Sequence, residues 1–187
     1  MKIYLASRSP RRRELLDQIN IAYRCVSGDI NESVLPNEPA LDYVERMALS
    51  KAKAGWNDTN RASVIPLLAA DTAVVLNEQI LGKPADRSEA QSMLNMLSGT
   101  THQVMTSVAV MNGTKLKLST SVTQVKFANL TDADIDYYIE IGDCFDKAGG
   151  YGIQGYAAKF VRSINGSYSG VVGLPLYETS ELLSQFE

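Results

Sequence analysis

One aspartate interrupts the most apolar stretch of this chain. Asp71 follows Leu67-Leu68-Ala69-Ala70 and precedes Thr72-Ala73-Val74-Val75. A carboxylate there is costly unless something pairs with it. Metal binding, or a water held for general-base attack, would account for its position. An aspartate at a strand end that bonds nearby amides is the plainer alternative. Near the N-terminus, Arg8, Arg11, Arg12 and Arg13 crowd around Ser7-Arg8-Ser9-Pro10. If a helix starts at Pro10, its free N–H groups and the fork-shaped guanidinium donors form an anion site suited to phosphate oxygens. Cations at a helix start are otherwise mildly unfavourable. Neither glycine spacing of a Walker A loop or a dinucleotide fingerprint is present.

Lys83 follows Asp71 after a short turn signal, so a hairpin would return its ammonium toward that carboxylate. Asp86 beside it has an independent use as a helix cap. Glu32 in a polar loop and Lys51 on a long helix are, by residue type alone, a solvated acid and a snorkelling base. The stretch Asp146 to Gln154 combines Asp, Lys, Gln and glycines. Glycine permits close backbone approach to a ligand, and the Gln154 amide can offer donor and acceptor together to a base edge. A plain connecting loop has the same glycine content.

The elements that must position these groups follow from periodicity and turn chemistry. Ile3 to Ala6 reads as a buried strand, with Ser9 as N-cap and Pro10 opening a helix that runs from Arg11 to Ile19. Tyr23 to Val26 is a second strand. Leu41 to Trp56 is a helix with Tyr43, Val44, Met47, Ala48 and Ala52 on its apolar face. Val64 to Leu76 is strand material, turned at Asn77-Glu78 into Gln79-Ile80-Leu81. Asp86-Arg87-Ser88-Glu89 resembles a capping box for a helix that Ser98-Gly99 closes. Strands from His102 to Met111 and from Lys115 to Phe127 flank the hairpin signal Asn112-Gly113. Thr131 caps a helix ending near Gly142. A strand through Phe160-Val161 and a helix from Pro175 to Phe186 complete the chain. An antiparallel hairpin embedded among alternating strands and helices predicts an α/β fold with a mixed sheet.

Composition narrows the function classes. The 187 residues fit one domain, or two lobes sharing one core. No apolar run reaches the roughly 18 residues of a membrane helix, and the N-terminal apolar stretch is too short for a signal peptide, so a cytoplasmic location is expected. His102 is the only histidine, which excludes His-His metal sites. Cys25 and Cys144 lack finger or disulfide spacing and are expected to be small semi-buried residues. The net charge of −3 argues against nucleic acid as partner.

In order along the chain, Ala6-Ser7-Arg8-Ser9-Pro10-Arg11-Arg12, Asp29-Ile30-Asn31-Glu32, Tyr43 to Ala52, Ala70-Asp71-Thr72, Gly82-Lys83-Pro84, Ser98 to His102, and Asp146 to Tyr151 with Ile153-Gln154-Gly155 resemble the Maf family of nucleotide pyrophosphatases over nearly the full length. The resemblance implies a Maf/ITPase-like elongated two-lobed α/β fold, residues 1–187, with a mixed β-sheet flanked by helices and a central substrate cleft. It implies Asp71 as proton acceptor, with Ser7, Arg11, Arg12, Glu32, Lys51 and Lys83 lining that cleft. A divalent cation, Mg²⁺ or Mn²⁺, would be held by Glu32 and Asp71. Arg12, Thr72 and Gln154 stand where the family's dTTP- and UTP-preferring branch has them; a sister branch preferring 7-methyl-GTP differs there. A homodimer is also implied. Two positions depart from the pattern: Arg8, where a small or polar residue is frequent, and Asn31, where an acid is. The rival expectation is a regulatory module that binds nucleotides without rapid turnover.

Overall fold

The computed structural model describes residues 1–59 and 65–186. A mixed sheet organises them. Strands β1 (Lys2–Ala6), β2 (Ala22–Val26), β3 (Leu67–Leu76), β4 (Gln79–Leu81), β5 (Thr101–Asn112), β6 (Lys115–Phe127) and β7 (Val161–Asn165) run in spatial order β2-β1-β3-β5-β6-β7, with β4 added on β3. β1 is parallel to β2 and β3, and every other pairing is antiparallel. The helices are α1 (Pro10–Gln18), α2 (Ala40–Asn57), α3 (Arg87–Leu97), α4 (Asp132–Ile141), α5 (Tyr168–Val172) and α6 (Leu176–Ser184). The α/β mixed-sheet expectation is met.

The edge of β3 is shared in a way that creates the site. β1 pairs with Leu67–Ala69 and stops, while β4 pairs with Val74–Leu76. Residues 70–73 therefore have no strand on that side, and the sheet splits at Asp71 and Thr72.

Side chains alternate across a strand, and the packing of β3 follows that rule. Leu67, Ala69, Ala73 and Val75 face α2, whose Val44, Ala48, Ala52 and Trp56 recur at helical spacing. On the other face, Leu68 and Ala70 join Leu15, Leu16, Val172, Leu174 and Leu182 from α1, α5, α6 and their flanks. Farther along that face, Val74 joins Ala90, Leu94, Leu97, Ile135 and Tyr138 from α3 and α4. Thr72 lies between these two clusters. Gly55 sets how closely α2 approaches, since a Cβ there would fall 2.6 Å from the Ala6 Cβ.

Local differences from the sequence reading have identifiable causes. Ser9 is the N-cap residue of α1, but its side chain makes no cap bond; Ser7 Oγ accepts the Ser9 N–H instead, at 3.1 Å. Asp86 does accept the Glu89 N–H, yet the Glu89 carboxylate turns to the Ala85 N–H, so the capping box is half formed. Thr131 and Asp134 form a full box, and Gly142 closes α4 at φ 78°. Tyr156–Phe160 is a 3₁₀ helix, so β7 begins only at Val161. α5 went unanticipated: only five residues long, it is capped by Ser167 and carries no apolar periodicity. Cys144 is buried, but Cys25 is exposed on the edge strand β2. Val64, the expected start of β3, lies outside the described residues.

Candidate active site

The split in the sheet opens into a cleft of about 950 Å³, and Ser7, Arg11, Arg12, Glu32, Lys51, Asp71, Thr72, Lys83 and Gln154 all border it. They arrive from both sides of β3. Asp71 projects toward α2, where Lys51 Nζ donates to its Oδ1 at 2.6 Å. The same ammonium lies 2.6 Å from Glu32 Oε1. Lys51 thus bridges two carboxylates, one nearly enclosed (side chain 10% exposed) and one half open (48%). Asp71 Oδ2 accepts no hydrogen bond among the described residues and is left for the cleft.

Glu32 is held by the backbone beneath it. Tyr43 on α2 donates its hydroxyl to the Glu32 carbonyl at 3.1 Å, and Arg46 donates to the Ser33 carbonyl at 3.0 Å and to Glu38 Oε2 at 2.6 Å. The loop carrying Glu32 is therefore strapped to one face of α2. Asn31, the departure from the family pattern, accepts the Ser33 N–H at 2.9 Å, which is turn chemistry. Arg8, the other departure, pairs with Asp29 at the exposed rim.

On the opposite face of β3, Arg12 has all three nitrogens engaged. Nε donates to the Gly173 carbonyl at 2.7 Å, Nη1 to Ser7 Oγ at 3.3 Å and Nη2 to Thr72 Oγ1 at 3.3 Å. Arg11 reaches across to Asp146 at 3.1 Å, and Lys147, from the same loop, is held by Asp143 and Asp146 at 2.6 Å each. Gly149 and Gly150 take φ near +70° there, and a Cβ on Gly149 would meet Val74 at 2.8 Å. Gln154 is exposed, and its side-chain amide has no hydrogen-bond partner among the described residues. Lys83 is exposed at the rim, and its charge reaches Glu32.

The electrostatics follow from burial. Burial pushes Asp71 above the usual carboxylate range, and the charges of Lys51 and Arg12 offset only part of that. Burial also acts to raise Glu32, but the Lys51 hydrogen bond and charge, with Lys83 and Arg12, outweigh it and hold the carboxyl below its ordinary value. Arg12 is lowered by burial, against the stabilising charge of Asp71. One wall of the cleft can accept a proton, while Arg11, Arg12 and Lys83 on its border are donors of the kind that phosphate oxygens accept from. Among the described residues no group of three or more His, Cys, Asp or Glu could hold a metal. Glu32 and Asp71 still suit Mg²⁺, which is commonly bound by one or two carboxylates completed by substrate phosphates; a cation, Lys51 Nζ, already bridges them.

All nine residues named from the sequence border the cleft, Glu32 and Lys51 on the strength of the family resemblance alone, but their supports were missed. Tyr43 was assigned to an apolar face, yet its hydroxyl carries the Glu32 loop. Gly173 left no signal, because its use depends on a contact with Arg12, far along the chain.

Fold and site define an α/β protein with a cleft in which arginines and lysines are interleaved with carboxylates around the buried Asp71. The chain belongs to the Maf-like protein family, whose model matches residues 2–186. Similar proteins include a dTTP/UTP pyrophosphatase of Chromobacterium violaceum, 52% identical across 99% of this chain and 94% of that protein. Those of Aromatoleum aromaticum (46%; 99% and 95%) and Escherichia coli O157:H7 (51%; 98% and 92%) carry the same name. Among solved structures, the Ham1 protein of Staphylococcus aureus matches 69% of this chain and 73% of its own at 16% identity, with a TM-score of 0.48.

Proposed function

We propose that this protein hydrolyses the bond between the α- and β-phosphates of dTTP and UTP, releasing the nucleoside monophosphate and pyrophosphate. Relatives about half identical over nearly the whole length bear the name of that activity. The observation that carries the reading is Asp71: a buried carboxylate with one oxygen fixed by Lys51 and the other open to a cleft edged by Arg11, Arg12 and Lys83.

In this reading Asp71 Oδ2 takes a proton from water as the water oxygen attacks the α-phosphorus. The bond from that phosphorus to the bridging oxygen breaks, and pyrophosphate departs with the electron pair. Burial raises the basicity of Asp71, which suits it to receive that proton. Arg11, Arg12 and Lys83 offer donors to oxygens on which charge develops. A divalent cation such as Mg²⁺ or Mn²⁺, held by Glu32 and Asp71 with substrate oxygens, would supply further charge neutralisation. Arg12 and Thr72 on one side and the Gln154 amide on the other discriminate the base.

We take the chain 1–187 as one domain of two lobes around the cleft; the separate apolar clusters on either side of Thr72 support that reading. A cytoplasmic location is part of this proposal, supported by the nucleotide substrate; separately, among the described residues no helix is long and apolar enough to cross a membrane. The family resemblance adds a homodimer, which sedimentation tests. Pyrophosphate release from dTTP and UTP with added Mg²⁺ decides between enzyme and binding module. Multiple turnovers support the enzyme, and saturable binding without release would establish the module.

A further inference from the structure

Asp146 ties α1 to the loop that follows α4. Arg11, in the first turn of α1, donates from Nη1 to Asp146 Oδ2 at 3.1 Å, across 135 residues of chain. The other oxygen, Oδ1, accepts from Lys147 Nζ at 2.6 Å. One carboxylate thus spans two cations, an oxygen to each, as two oxygens of a phosphoryl group do when basic side chains hold them. Burial acts to raise the Asp146 carboxyl, but the hydrogen bond and charge of Lys147, with Arg11, outweigh it and hold the group below its ordinary value.

The partners are not equally free to move. An ammonium has three donors, and Lys147 spends two of them on Asp143, on its carbonyl at 2.7 Å and its Oδ1 at 2.6 Å. The Lys147 stem runs over Gly152, where a Cβ would fall 2.5 Å from Cε, and the side chain is only 11% exposed. The Asp146 side chain is 63% exposed and bonds only the two cations among the described residues. The ammonium is fixed, and the carboxylate is the part that can swing away. Its departure leaves one Lys147 N–H and the Arg11 fork directed at the place it held, on the border of the cleft.

We infer that Arg11 and Lys147 form a phosphoryl-binding subsite whose place the Asp146 carboxylate takes, so that a phosphate group of the nucleotide competes with Asp146 for both cations. The inference adds Lys147 to the groups that hold the triphosphate and rests on the cleft being a nucleotide site. Asp146 then weakens the hold on polyphosphate, and its return to the two cations helps pyrophosphate leave.

Calorimetric titration with inorganic pyrophosphate, without divalent cation, tests this apart from turnover. Asp146→Asn keeps the shape of the side chain and removes its charge, so pyrophosphate should bind about fivefold more tightly than to wild type. Glu14→Gln is the comparison, because Glu14 borders the cleft three residues after Arg11 and makes no ion pair among the described residues. It loses the same charge without unloading either cation, and its affinity should stay within about twofold of wild type. In a Lys147→Met background, Asp146→Asn should gain clearly less, since one of the two competing contacts is already gone. Unchanged or weaker binding to Asp146→Asn overturns the inference, as does an equal gain from Glu14→Gln, a full gain without Lys147, or no pyrophosphate binding by any of these proteins. Those results leave the activity standing if the wild type releases pyrophosphate from dTTP. The predicted binding pattern in a wild type that releases none from dTTP or UTP overturns the activity and leaves the subsite.

Discussion

Asp71 and Thr72 are consecutive on β3, leave the sheet on opposite faces, and still border the same cleft. Asp71 meets Lys51 of α2, and Thr72 meets Arg12 of α1. Only the break in pairing between Ala69, the last partner of β1, and Val74, the first partner of β4, makes this geometry available. A buried carboxylate and a threonine–arginine corner can then be one residue apart in sequence while each is supported by its own helix.

Because Lys51 offsets the burial that raises Asp71, the acid limb of the pH–rate profile should depend on it. The rate is expected to fall as Asp71 protonates, with an apparent pKa above the ordinary value of about 3.9. Removing the ammonium in Lys51→Met takes away a charge that favours the ionised form, so the limb should move toward neutral pH. A limb that stays in place, measured as kcat/KM between pH 4 and 8, would show that Asp71 does not titrate in the rate-determining form.

His102 reports on stability. Burial holds its pKa down at about 4, and its Nε2 lies 2.7 Å from the Tyr151 hydroxyl. The unfolded chain takes up this proton near pH 6.5, but the folded chain refuses it until about 4. Folding stability should therefore decline as pH drops through that window, by roughly 2 kcal/mol between pH 7 and 5. Urea unfolding of wild type and His102→Gln at both pH values checks this, since the variant should lose markedly less. Parallel losses would assign the effect to carboxylates instead.

Gly149 combines a φ of +68° with a Cβ position 2.8 Å from Val74, on the loop that carries Lys147 and Gln154. Gly149→Ala is expected to cost about 2–3 kcal/mol through backbone strain and overpacking, and to raise KM because the loop must shift. Gly113→Ala, at a similar φ of +62° but with no atom within 4 Å, should cost less. Equal midpoints in thermal unfolding would remove packing from the explanation.

Much of this architecture was legible in sequence because its signals are local. Pro10 opened a helix, Asn112-Gly113 reversed a hairpin, and the Thr131 box and Gly142 bracketed α4. Asp71 was conspicuous because a charge within an apolar run demands a partner. Residue type alone did not reveal the partner: Lys51 reads as a snorkelling base, and only the family resemblance put it in the cleft; Gly55, one turn on, lets α2 approach the end of β1. The Gly173 carbonyl was silent for the same reason, and the Tyr43 hydroxyl was hidden behind an apolar-face reading, since each acts through a hydrogen bond to a residue brought near by the tertiary fold. The sheet's split at residues 70–73 arises from which strands pair with β3, and no stretch of sequence encodes it alone.

The most direct measurement is the steady-state rate of pyrophosphate release from dTTP by Asp71→Asn, which keeps the shape of the side chain and removes its basicity. The account predicts a kcat lower by about two to four orders of magnitude, with the circular dichroism spectrum unchanged. A variant that turns over near the wild-type rate would contradict it.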